Sequence, residues 1–144
     1  MTFTNEMSIE RVATGMIDRT LPKPEWTHAA HFAAAIWILR HRPGLASPEA
    51  FRLLITRYNE ATGTPNTDTE GYHHTITIAS LRAAADRLER AGPATPLNIV
   101  LADIMASELG GRDWILAHWR PETLFSVAAR RDWLEPELMP LPFG

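Results

Sequence analysis

The chain has 144 residues, 45% hydrophobic and 22% charged, with a formal net charge of −3, which suits one globular domain and argues against disorder. The acidic balance, with arginines scattered and Lys23 the only lysine, excludes a basic face for nucleic acid. There is no cysteine, hence no disulfide, thiolate metal site or cysteine nucleophile, and with neither a signal pattern nor a membrane-length apolar run the chain reads as soluble, cytoplasmic and without a membrane partner.

In chain order, a first helix is expected over about Met7 to Arg19, with Ile9, Val12 and Met16 on its apolar stripe, stopped by Leu21-Pro22-Lys23-Pro24. A second begins at Trp26 or at Thr27, a plausible N-cap, and runs to about Arg40. It is apolar nearly all round from Ala29 to Leu39, as a central helix should be. Ser47-Pro48-Glu49 opens a third, which carries Phe51, Leu54, Ile55 and Tyr58 on one face. Thr67 and Glu70 stand at capping-box spacing, so a fourth helix is expected from there to about Arg90, with Ile76, Leu81, Ala84, Ala85 and Leu88 inward. Thr95-Pro96 starts a fifth, ended by Gly110-Gly111; a shorter sixth spans Asp113 to Trp119, and Ser126 caps a seventh, to Leu134. The sum is an all-α chain, a single helical-bundle domain over 1–144 of five to seven helices, with an extended C-terminal tail.

Four of the six histidines fall in two segments, Trp26-Thr27-His28-Ala29-Ala30-His31 and Gly71-Tyr72-His73-His74-Thr75. Short connections make consecutive helices antiparallel, so the second and fourth should run parallel, with the third between them. Both histidine segments would then lie at one end of the bundle, beside Tyr58, Asn59 and the loop bearing Asn66 and Asp68. Helix N-termini keep imidazoles neutral, fit to bind a metal or accept a proton, and they favour anions. His28 and His31 share a helical face at a spacing that suits a divalent metal. His73 and His74 point about 100° apart, and His73, on a stripe with Thr77, Ser80 and Leu81, is the inward candidate. His74 reads as peripheral, and His41 and His118 as surface or interface residues. Each candidate also has a plain structural reading. One of His28 and His31 could bond the preceding loop, Tyr58 and Tyr72 could be inward aromatics with satisfied hydroxyls, Asn66 a turn residue, and Trp26 a hydrophobic staple.

No His-Glu-x-x-His, His-Asp pair, paired Glu-x-x-His or Gly-rich phosphate loop occurs, which removes the commonest metalloprotease, phosphohydrolase, ferritin-like and nucleotide-binding readings. The segments Glu25-Trp26-Thr27-His28-Ala29-Ala30-His31, Tyr58-Asn59, Gly63-Thr64-Pro65-Asn66-Thr67 and Gly71-Tyr72-His73-His74-Thr75-Ile76-Thr77, with Leu124-Phe125-Ser126 and Trp133-Leu134-Glu135-Pro136-Glu137-Leu138, resemble a set of small, uncharacterised bacterial all-helical proteins. That resemblance implies a shared helical fold and brings no activity with it. Where that pattern often has Glu after Gly-Tyr-His, this chain has His74.

Three expectations follow. In the first, a divalent metal ion is held by His28, His31 and His73, and Tyr58, Asn66 and Tyr72 contact a small-molecule ligand beneath the Thr62–Thr69 loop, with no catalytic residue assigned. In the second, a metal-free pocket at the same place binds or transforms a small organic anion, with His73 or His28 as base or donor. In the third, the chain is a non-catalytic homodimer module, joined through apolar surface from its five tryptophans and the Leu138–Phe143 tail.

Overall fold

The computed structural model describes residues 3–143, an all-helical bundle with no strand among them. Helix α1 (Glu6–Ile17) starts on Asn5, whose side chain accepts the Ser8 N–H, and buries Ile9, Val12, Ala13 and Met16. Helix α2 (His28–His41) starts on Thr27, whose hydroxyl accepts the Ala30 N–H. Its run from Phe32 to Ile38 is buried without a break, because α1 covers one side and α4 and α5 the others. The alanines on α2 leave room for that close approach.

Helix α3 (Pro48–Ala61), capped by Ser47, packs mainly on α1. Then follow α4 (His74–Ala91), α5 (Leu97–Ala106), the short α6 (Pro121–Leu124) and α7 (Val127–Arg131), with 3-10 turns at Glu108–Gly110 and Arg112–Ala117 before α6. Helices α2 and α4 are parallel. The Arg40 guanidinium at the end of α2 donates to Gly92 O (3.1 Å) and Thr95 O (2.6 Å) beyond the end of α4, while His31 and His73 line one cleft at their starts. The two helices pack directly on each other, however, because α3 sits out against α1 and not between them.

Several expected boundaries are corrected. The fourth helix does not begin at Thr67: the Thr67 N–H bonds Glu70 O at 2.9 Å and its hydroxyl accepts the Thr69 N–H at 3.3 Å, so the capping-box residues form a turn. Gly71, at φ +84°, then turns the chain, and α4 begins only at His74. Ala85 is exposed, since α4 turns that side to solvent. The fifth helix stops at Ala106, where Ser107 takes extended backbone and its hydroxyl bonds back to Ile104 O at 2.6 Å. The sixth element is 3-10, and the seventh ends at Arg131, short of Leu134. Helix α6, opened by Pro121, was not anticipated.

The tail lies along its own chain. Backbone N–H groups of Glu137 and Leu138 donate to His118 O, the Trp119 indole N–H donates to Leu134 O, and the His118 ring reaches Met139 O at 2.8 Å. His118 is therefore buried, against the surface reading. Among the described residues no helix is long and apolar enough to cross a membrane.

At Gly71 a Cβ would collide with the carbonyl oxygen of Pro65 and sit 2.7 Å from Asn66 Oδ1, whereas at Gly63 (φ +85°) nothing lies within 4 Å. Gly71→Ala should therefore lose about 2 kcal/mol or more of stability and Gly63→Ala only about 1 kcal/mol, as read by urea unfolding. Equal losses would show that the crowding at Gly71 is relieved at no cost.

Candidate functional site

The loop between α3 and α4 is held by one carboxamide. Asn66 Oδ1 accepts from the Tyr72 N–H (3.0 Å) and from Asn59 Nδ2 (3.1 Å), and Asn66 Nδ2 donates to Thr56 O (3.0 Å). The side chain joins the loop to α3. Asn66, expected from sequence as a ligand contact, acts here as a clamp and is not among the residues lining the cleft. On the far side of the network Asn59 Oδ1 accepts from Lys23 Nζ at 3.0 Å. Lys23 sits on the 3-10 turn Lys23–Glu25 and its ammonium also lies 5.3 Å from the Tyr58 ring centre. Partial burial lowers the Lys23 pKa.

These residues close one wall of a cleft of about 350 Å³ at the starts of α2 and α4. Lys23, Trp26, His31, Asn59, Tyr72 and His73 line it, with Ile55 and Ile76 as apolar walls. No Asp or Glu is among the lining residues, and Lys23 is the only Lys or Arg. Trp26 and His31 stack at 4.0 Å between ring centres. On their other side a second cleft of about 500 Å³ opens, which shares Trp26, His31 and Ile76 with the first and adds His28, Phe32 and Trp114.

Each of the four clustered histidines makes a hydrogen bond that fixes what it can still do. His31 Nδ1 donates to Thr27 O at 2.6 Å, so in the neutral ring Nε2 carries the lone pair with no protein partner. Desolvation is the main influence on its pKa and pushes it down, partly opposed by the Thr27 bond. The residue as a whole is nonetheless exposed at the rim of the cleft. His28 Nε2 donates to Leu109 O at 2.8 Å, and its ring lines the second cleft only.

His73 is the N-cap of α4. Its Nδ1 accepts the Ile76 N–H at 3.2 Å, and its Nε2 donates to Leu124 O at 2.6 Å. Only the neutral Nε2–H tautomer makes both bonds, and no ring nitrogen is left over. Desolvation, with Arg130 adding repulsion, lowers its pKa. His74 Nδ1 lies 2.7 Å from the Tyr72 hydroxyl, whose own pKa burial pushes up to about 12.

Of the residues marked from sequence, then, His31, His73 and Tyr72 share the first cleft, while His28 faces the second. Tyr58 reaches neither, being fully buried with its hydroxyl donating to Leu21 O at 2.8 Å. Among the described residues no three His, Asp or Glu side chains converge in a way that would hold a metal ion. Sequence reasoning placed Asn59 at this end without giving it a role, and passed over Lys23 and Thr64. The solitary lysine between two prolines was the one signal that pointed at Lys23. No known protein family, curated protein or solved structure matches the chain.

Two measurements follow from this geometry. Asn66→Ala takes their acceptor from the Tyr72 N–H and Asn59 Nδ2 and should destabilise the fold by about 1–3 kcal/mol in urea unfolding; a loss under about 0.5 kcal/mol would show that the clamp is dispensable. Because the folded pKa of His73 lies below the ordinary 6.5, the unfolded chain takes up the proton first. Its stabilisation is full above about pH 6.5 and is lost as pH falls toward the folded pKa. His31 and His74 shift in the same direction and steepen the slope. Tm should thus fall from about pH 7 to about pH 5, and His73→Asn, which keeps a capping acceptor but does not titrate, should flatten part of that fall.

Proposed function

We propose that the protein binds a small organic anion in the cleft at the starts of α2 and α4, with Lys23 as its counter-charge and His31 as the neutral group beside it. The supporting observation is the Lys23 ammonium, held by Asn59 at 3.0 Å in a cleft whose lining residues include no carboxylate. One of its three N–H bonds is used by Asn59, which leaves the others for a ligand. A carboxylate there gains charge-assisted hydrogen bonds in a partly desolvated place, where they count for more than in water. His31 Nε2 offers an acceptor for a ligand hydroxyl or a transferable proton, and the Thr27 bond fixes the tautomer that keeps it free. Trp26, Ile55 and Ile76 supply apolar walls for the carbon frame.

The metal-centred alternative, with His28, His31 and His73 as ligands, needs three free ring nitrogens on one point. His73 would have to give up at least its cap to Ile76, which occupies the one lone pair of the ring, and His28 faces the other cleft. The anion reading asks no side chain to move, and on that ground we prefer it.

The test is thermal stabilisation and calorimetric titration with small carboxylates in the presence of a chelator. Binding to the native state raises Tm, so the expected result is stabilisation that persists with the chelator. Lys23→Met should weaken binding about tenfold or more, and Lys23→Arg should retain most of it. Binding that is indifferent to Lys23→Met, or that needs an added divalent metal, would overturn the proposal.

A further inference from the structure

We infer that the ligand is an amphipathic anion whose head pairs with Lys23 and whose apolar tail passes over the Trp26–His31 stack into the second cleft. This rests on the anion reading and extends it to a substrate class: medium-chain or aryl-substituted carboxylates. The two clefts adjoin, because Trp26, His31 and Ile76 line both. Their charged and aromatic side chains are nonetheless placed differently. The charged Lys23 and the Asn59 amide belong to the first, while Phe32, Trp114, Ile115, Leu116 and Leu124 wall the second. The formal charges of the second cleft are Arg112 and Asp113, both exposed, so they mark its mouth. The His28 ring faces it with Nε2 already committed to Leu109 O.

Among the described residues, the tail does not fill this space. The C-terminal segment runs on another side of Trp114, where Phe143 packs at 6.3 Å between ring centres and Met139 and Pro140 line a separate hollow. Phe125, a large apolar side chain at the rim of the second cleft, is 60% exposed. An apolar group entering there would cover it along with the walls. At about 500 Å³ the cleft is within the ordinary size of a small-molecule site, and so is the neighbour that holds Lys23, at about 350 Å³. A short anion would occupy only the Lys23 cleft, and a neutral hydrocarbon would leave the ammonium without a counter-charge.

The experiment titrates acetate, butanoate, hexanoate and octanoate against the wild-type chain, Lys23→Met and Phe125→Asp, the last at an exposed position outside the packed core. Trp114 quenching by an octanoate brominated at its far end is read in parallel, with Trp114→Phe as the control. Each methylene that enters the second cleft should tighten binding about two- to fourfold. Phe125→Asp should flatten that gain without weakening acetate, Lys23→Met should weaken every member, and the brominated tail should quench fluorescence that Trp114→Phe removes. Lys23-dependent binding with no gain along the series and no Trp114 quenching would overturn the two-part ligand while leaving the anion site intact. A gain along the series that ignores Lys23→Met would overturn the shared ligand. No binding by any member would remove the anion reading and this inference together.

Discussion

The cleft exists because a single carboxamide, that of Asn66, ties the chain after α3 back onto that helix. Its oxygen takes two donors and its nitrogen one acceptor, so the loop has one stable course past the end of α3. Gly71 must pass close to that same oxygen, which is why the position has no room for a Cβ and adopts a positive φ. From Asn66 the order spreads through Asn59 to Lys23, and the only lysine of the chain is aimed by a residue on another helix. Partly buried networks of this kind gain from mutual support, and here the Asn66 and Asn59 amides each bond on both their oxygen and their nitrogen.

A second constraint holds the other wall. Helix α4 begins without the usual Ser, Thr, Asp or Asn, and the His73 ring stands in for them. The opposite nitrogen of that ring fastens α6 through Leu124 O, while Thr75 bonds Asp132 O at 2.7 Å and Arg130 reaches Gly71 O at 3.0 Å. The C-terminal third of the chain is thus a brace on the start of α4. Without it, the floor common to both clefts, Ile76, would lose its support. This use of His73 sets it apart from His31, whose second nitrogen is left with no protein partner.

Much of the fold was legible from short-range signals. The caps at Thr27, Ser47 and Ser126 appeared where expected, because a capping side chain bonds an N–H only three residues away. The all-round apolar pattern of α2 marked it as central, and the pairing of its start with that of α4 followed from connection lengths and turn residues. Capping-box spacing misled at Thr67 and Glu70, since the same residues also suit a turn and Gly71 lies just beyond them.

What the sequence by itself determined was the helical class, the central helix and the gathering of histidines at one end, all of which depend on periodicity and on contacts a few residues apart. The partners of His28 and His73 were decided by tertiary structure, whereas the His31 ring is fixed by a carbonyl only four residues away. His28 spends its hydrogen bond on a carbonyl 81 residues away and His73 on one 51 residues away, and Lys23 is oriented by Asn59 across 36. No local pattern encodes such partners, because they meet only after the helices have packed. The two clefts share this origin: they are the space left between elements that are far apart in the chain.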